Sequence, residues 1–516
     1  INETSGYFTL SAPLTYYDNI LIRKEAGNST GCHDFTLQYI QNNIDQPTAS
    51  TIRYVSDSGS GDGTSEGSAA SLSYCMSNAS AGQTWYIKQG TYSGTFNLSS
   101  SGTVGSPIKL VGYKTSIGDG SSYMPTRSQS LNPNAAELPR INGSLNISSR
   151  KYIIAENIQV DGGTNCFDLN SFQHISNCYA FTGQFGFIAN ANGHQQIRLT
   201  DCYSRDMTNS GVRLYNKSHL YDNFYSCTSG AVSMDYYISM YGGTDGHSQC
   251  VRNSTVDRNI NATHTGHGIG MKGSGGILEH SLVENSTVNN CGNGGLEYRH
   301  SRIMHNVARN VTIDSDTKGV NNRAIMFRDG TSFNRVENSH VNNAEYSVRF
   351  LDSTEDGGLN QNGGSDNTVI NTIFSNADTS FINVDGGVTL PNERNKFINC
   401  TFDNAPDFYK SGTTPDYFDS SNEFINCIVN DCNDKIGSGQ GSFIFINSLF
   451  YGGFAGTGTG AITGVDPLLD ANYEPQATFT DIDVAIIDGV YYDKDGNERN
   501  ETLTTVGAIN HANEDV

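Results

Sequence analysis

A chain of 516 residues with 31 Lys+Arg against 53 Asp+Glu carries a formal net charge of −22, which argues against nucleic acid as a partner. Apolar residues make up 36% and glycines number 56, a balance suited to short strands around a narrow interior with many tight turns. No run of 18 apolar residues occurs, so no membrane-spanning helix is predicted.

The chain begins at Ile1 with no charged-then-apolar leader, as a mature secreted protein would, and an extracellular location is expected. Sequons such as those at Asn2, Asn28 and Asn253 occur at the rate that so much Asn, Ser and Thr produces by chance, so they decide nothing about glycosylation. Residues 1–50 lack any repeat and read as an N-terminal arm, with an alternating segment at Tyr7–Leu10 and an apolar one at Ile20–Ile22. A strand is predicted at Ile52–Ser56, followed by a Gly/Ser loop through Gly67 and then the segment Ala81–Tyr92. Together they resemble the entry segment of secreted right-handed parallel β-helix proteins.

From about residue 175 a small polar residue recurs between apolar ones, as in Ile175-Ser176-Asn177-Cys178 and Phe397-Ile398-Asn399-Cys400. The slot is read as Asn177, Asp201, Ser226, Asn253, Asn285, Asn310, Asn338, Asn371, Asn399, Asn426 and Asn447, and (447 − 177)/10 gives 27 residues per step. A period in this range marks a solenoid, and strands of three to five residues joined by Gly, Asn and Asp turns specify an all-β chain wound as a right-handed parallel β-helix over 51–450. The Asn slot is placed at a turn, where side-chain amides stack and bond along the axis. Residues 451–516 break the pattern and read as a C-terminal cap or tail. The Asp493-Lys494-Asp495-Gly496-Asn497 stretch within it lacks the twelve-residue loop and closing Glu of a calcium hand and reads as a surface turn.

The eleven cysteines cannot all pair within one chain. Cys178, Cys202, Cys227 and Cys250 follow the repeat, separated by 24, 25 and 23 residues, and Cys400 and Cys427 lie 27 apart. A ladder of buried thiols is favoured over disulfides, and no CxxC spacing supports a metal.

A second series runs between the Asn slots: Gly211–Tyr215, Tyr237–Tyr241, Gly268–Lys272, Gly295–Arg299, Ala324–Arg328 and Ser347–Leu351. Its second and fourth residues are apolar and should face inward, so its third and fifth should face outward. The fifth position reads Tyr215, Tyr241, Lys272, Arg299 and Arg328, and the third includes Arg213, Glu297 and Arg349. Three cations in register, about 5 Å apart, would repel one another by roughly 1 kcal/mol per contact in water. Two readings stay open: a groove for a repeating anion, with the tyrosines as stacking faces for sugar rings, or a surface ion network closed by Glu297, Asp329 and Asp352.

Gly270–Ile277, followed by Leu296-Glu297-Tyr298-Arg299-His300-Ser301, resembles the alginate and chondroitin lyases of polysaccharide lyase family six. That resemblance implies β-elimination on a uronate polymer, with Lys272 as Brønsted base and Arg299 as its partner. It also implies calcium, the one cofactor in view, but the family's Asn and Glu ligands are replaced here by His264-Thr265-Gly266-His267-Gly268-Ile269. Independently of the family, removing a proton beside a carboxylate requires that the carboxylate's charge be offset, as Arg299 and Arg328 would do. The like charge of Arg299 should lower the pKa of Lys272, and His267, His300 or Tyr241 would serve as acid for the leaving oxygen. No metal site is assigned to His264 and His267. The expected partner is an acidic polysaccharide. Two alternatives remain: a glycoside hydrolase using Glu297 with Asp329 or Asp352, and a structural homo-polymer (filament, surface layer or adhesin) assembled through the N-terminal arm.

Overall fold

The computed structural model describes residues 50–469 except 123–125, 191–192, 231–233, 245, 259–265, 274–275, 291, 316–321, 353–362, 387–389, 412–417, 419, 433–442, 454–457 and 465, together with 20–22, 35–37 and 473. The segments at Tyr7–Leu10 and 493–509, with His264, therefore lie outside the described residues. Ile20–Ile22 pairs antiparallel with Phe35–Leu37. Among the described residues the other pairings between strands are parallel, and each joins a strand to one a winding later.

Three long ladders result. The first begins at Thr51–Val55 and continues through Gln83–Lys88, Ile108–Tyr113 and Ile153–Glu156, after which each winding adds one rung. The second carries Thr255–Asp257, His340–Asn342 and Thr401–Ala405 among its rungs, and the third carries Tyr236–Tyr241, His267–Lys272, Gly294–Arg299 and Arg323–Arg328. Beyond residue 450, Gly458–Thr459 and Ile462–Thr463 pair in parallel with the preceding winding. Identical rings stack within the core at about the rung spacing: Phe374 on Phe402 at 4.9 Å and Phe397 on Phe424 at 4.6 Å.

The corners explain the Asn slot. Asn177, Asp201, Asn253, Asn285, Asn310, Asn338, Asn371, Asn399, Asn426 and Asn447 all have φ between 47° and 55°. This left-handed region costs most side chains strain, but Asn and Asp tolerate it. Their amides bond along the axis, Asn177 to Asn157 at 2.6 Å, Asn310 to Asn285 at 3.1 Å and Asn371 to Asn338 at 3.1 Å. One rung of the expected series is corrected. Asn223, with φ 54°, holds the corner and donates to Asp201 at 2.6 Å, whereas Ser226 is a buried strand residue in register with Ser204.

A second amide ladder lies inside, four residues ahead of the first. Asn306, Asn334, Asn367, Asn395 and Asn422 are buried, and each Nδ2 donates to the next Oδ1 at 3.0, 3.2, 3.2 and 3.0 Å. The same Oδ1 atoms accept backbone N–H groups, so the ladder satisfies a buried turn that no strand pairing serves.

The nine described cysteines are buried and none is in a disulfide, in agreement with thiols rather than disulfides. The four-rung ladder breaks up, however. Tyr179 and Tyr203 are in register, which stacks the preceding Cys178 and Cys202, but Cys227 pairs with Arg205 and Cys250 with Leu220 on other columns. Equal spacing misleads here because the windings differ in length.

The Gly/Ser loop closes the open edge of the first strand. Tyr54 donates to Gly63 and accepts from Ala70, each at 2.9 Å, and a Cβ at Gly59 or Gly61 would overlap the backbone of Ala70 or Ser68. The helix Leu72–Asn78, capped by Ser71, buries Leu72, Cys75 and Met76. At the other end Leu469 packs on Ile428 and Leu449, and Tyr473 on Ile373 and His340. Among the described residues no helix is long and apolar enough to cross a membrane.

Asn367→Ala removes the acceptor of the Asn334 N–H and the donor to Thr331 O at once. With at least one buried group left unpaired, unfolding free energy should fall by about 3 kcal/mol. An unchanged urea midpoint would show that the inner ladder contributes nothing.

Candidate functional site

The third ladder aligns the predicted columns. Tyr215, Tyr241, Lys272, Arg299 and Arg328 are in direct register, and two residues earlier so are Arg213, Ser239, Gly270, Glu297, Met326 and Arg349. The alternating residues Val212, Leu214, Ile238, Met240, Ile269, Met271, Leu296, Tyr298, Ile325 and Phe327 fill the core, as period two requires.

The charged strip is not an open surface. Relative exposure is 4% at Arg299, 8% at Arg328 and 0% at Glu297 and Asp329, and only Lys272, Arg213 and Tyr215 are half-buried. The expectation of outward-facing, mutually repelling cations is therefore corrected: the face points away from the core but is covered, and carboxylates are interleaved with the cations. Arg328 Nη1 bonds Glu297 Oε1 at 3.1 Å, and the Nε atoms of Arg299 and Arg328 each approach Asp329 Oδ2 at 3.4 Å. His267 Nδ1 lies 3.3 Å from Glu297 Oε2, and His300 Nδ1 lies 3.8 Å from Asp329 Oδ2. Glu297 and Asp329 thus play the neutralising role considered for them.

Tyr236 completes the cluster and was not singled out in the sequence. Its hydroxyl donates to Glu297 Oε2 and accepts from Arg299 Nη1 at 3.4 Å. Its ring stacks on His267 at 4.8 Å and underlies Lys272 Nζ at 5.2 Å. The available signal was Gly270, the one third-column position without a side chain, where a Cβ would overlap the Tyr236 ring.

Burial and charge set the protonation states. Burial lowers the pKa of Lys272 and the Arg299 guanidinium lowers it further, so the expected direction holds with desolvation the larger cause. Burial raises that of Glu297, but His267, Arg328, Arg299 and the Tyr236 hydroxyl outweigh it and bring the carboxyl down to about 2. Burial, reinforced by Arg299, lowers His300 to about 4, and burial lowers His267 against the pull of Glu297. Both imidazoles are neutral near pH 7, and Glu297 is ionised.

The remaining predicted residues divide. Arg213 sits over Tyr241 at 4.6 Å and Tyr215 at 5.1 Å and bonds the Tyr215 hydroxyl, so this end of the strip is an arginine held among aromatic rings. Arg349 sits over the Tyr346 ring at 5.7 Å. The donor set does not suit calcium. That ion takes six to eight oxygens, whereas the oxygens of Glu297 and Asp329 face guanidinium, imidazole and phenol groups.

No family profile matches the chain, and no curated protein is similar to it in sequence. Solved structures to which it is similar include a mannuronic-acid-specific polysaccharide family 6 lyase from human gut microbiota, at 12% identity and TM-score 0.46, covering 70% of this chain and 84% of that one. The family 6 alginate lyase AlyGC matches at 11% identity and TM-score 0.48 over 76% of this chain and 53% of its own. The catalytic domain of a GH87 α-1,3-glucanase matches at 10% identity and TM-score 0.46 over 77% and 68%.

The network makes stability depend on pH in two windows. Glu297 titrates at about 2 rather than 4.5, so its contribution is complete above pH 4.5 and is lost as pH falls toward 2. His300 titrates at about 4 rather than 6.5, so its contribution is complete above pH 6.5 and is lost as pH falls toward 4. The difference in urea unfolding free energy between wild type and Glu297→Gln should shrink by about 3 kcal/mol across the lower window. A pH-independent difference would contradict the ionised, buried carboxylate.

Proposed function

We propose that this chain is an extracellular right-handed parallel β-helix protein, with an arm at 1–50, a body at 51–450 and a C-terminal cap at 451–516, that binds an acidic polysaccharide and cleaves a uronate polymer by β-elimination. One observation carries the reading: Lys272, half-buried and with its pKa lowered, stands in register between Tyr241 and Arg299. A primary amine beside a guanidinium is the pair that proton abstraction next to a carboxylate needs.

In this reading the substrate carboxylate lies against Arg299 and Arg328, which hold charge as it builds on the adjoining carbon. Lys272 Nζ takes the proton from that carbon. The electron pair forms the carbon–carbon double bond, the glycosidic C–O bond breaks, and Tyr241 gives a proton to the leaving oxygen. His300 is a poor donor for that step because its imidazole is neutral. Asp235, Glu297 and Asp329 stand against Lys272, Arg299 and Arg328, so the substrate carboxylate is held by the fixed orientation of the two guanidiniums rather than by surplus charge. Arg213, Tyr215 and Tyr241 would carry the neighbouring sugars, with His267 supporting Glu297.

The burial of Glu297 and Asp329 within this network favours a second reading, in which the ion cluster only braces a filament subunit, surface-layer element or adhesin joined through its N-terminal arm. A glycoside hydrolase is less well supported, since a carboxyl held at about 2 is no proton donor near neutrality.

Uronate polymers incubated with the protein should yield unsaturated, ultraviolet-absorbing ends, and Lys272→Ala should reduce their rate of release by about 10²–10⁴-fold. Saturated ends would indicate hydrolysis. Absence of cleavage of every uronate polymer, with assemblies that fall to monomers when residues 1–50 are deleted, would establish the structural reading instead.

A further inference from the structure

We propose that Tyr236 is a positioning residue for Lys272: its ring separates the lysine from Glu297, so that the amine rests on an aromatic face instead of closing an ion pair. The proposal rests on the lyase reading for its purpose, but its geometry stands alone.

Tyr236 belongs to the winding before Lys272, and Glu297 to the winding after it. The ring crosses the intervening strand His267–Lys272 above Gly270. In the same column the other windings carry Arg213, Ser239, Glu297, Met326 and Arg349, so the space exists only because position 270 has no side chain. The crossing ring is fixed at three points: its face on His267, and its hydroxyl on Glu297 and on Arg299. The other face of the cluster is closed by Arg328, which bonds the second oxygen of Glu297. Lys272 Nζ then meets the ring at 5.2 Å.

The alternative partner is close at hand. A carboxylate holds a neighbouring ammonium in its charged form more strongly than an aromatic face does. An amine paired with Glu297 would be held in its protonated form, unable to accept a proton. On the ring it remains exchangeable. The charged and titratable groups that face it are Asp235, Tyr236 and Tyr241 from one side and Glu297, Arg299 and His300 from the other.

The test needs no substrate. The rate at which a small amine-acylating reagent labels Lys272, followed by peptide mass spectrometry from about pH 6 to 11, reports the fraction of free amine. Tyr236→Phe keeps the ring and should stay within about twofold of wild type. Tyr236→Leu removes it, admits Glu297 to the amine, and should slow labelling about tenfold below the midpoint, the equivalent of one pKa unit. The double variant Tyr236→Leu/Glu297→Gln should restore the wild-type rate. A Tyr236→Leu profile that superimposes on wild type overturns the proposal. Should that variant fail to fold, Glu297→Gln alone decides: labelling within about twofold of wild type supports separation by the ring, and a tenfold acceleration means the pair already exists and overturns it. If labelling behaves as stated in a protein that cleaves no uronate polymer, the positioning stands and the lyase reading falls. Cleavage with superimposable profiles gives the converse.

Discussion

The fold depends on one backbone constraint, a left-handed residue at the same corner of winding after winding. A strand leaving that corner is aimed along the strand below it only if φ there lies near +50°, and Asn or Asp fills the position at each rung from Asn177 to Asn447. The amide that makes the conformation affordable also reaches the corner of the neighbouring winding. Corner and register are thereby set together, and windings can differ in length without losing alignment. Asn177 to Asp201 spans 24 residues and Asn338 to Asn371 spans 33, yet the strands on either side stay paired residue for residue.

This tolerance decides what could be read from the sequence. The Asn slot, the inward pairs such as Leu296 with Tyr298, and the column from Tyr215 to Arg328 were legible because each depends on local pattern, and parallel pairing preserves it. Ser226 was misplaced, and Cys227 and Cys250 were put in a ladder they do not join, because counting residues between windings assumes equal lengths. The inner ladder from Asn306 to Asn422 was legible in principle, as Asn recurs four residues before each corner from Asn310 to Asn426, but one period had already been assigned to the slot and the second copy was not sought.

Glu297 and Asp329 were legible as neutralising partners, but the covering of the face was not, for a different reason. Alternation says that Arg299 points away from the core, and it says nothing about what lies above it. Asp329 follows the strand rather than sitting in it, and Tyr236 belongs to a position one residue ahead of the aligned series. Both enter the cluster from outside the columns that periodicity defines. A glycine at 270 in a column of side chains was the only trace, and an absent side chain announces room without saying which neighbour fills it.

Burial of the arginines changes what they can do. An exposed guanidinium in water is a weak, screened charge held by a mobile side chain. Arg299 and Arg328, fixed by Glu297, Asp329 and Tyr236, are weaker as net charge, because the carboxylates offset them, but they are already oriented. For binding a long polyanion this is a poor bargain, and a row of free surface arginines would grip it better. For chemistry at one carbon it is favourable, since donors that need not reorganise stabilise charge that appears only during reaction. The buried network therefore argues against a purely electrostatic groove more strongly than against a catalytic site. It leaves Lys272, set on the Tyr236 ring and outside the ion pairs described around it, as the residue on which the distinction turns.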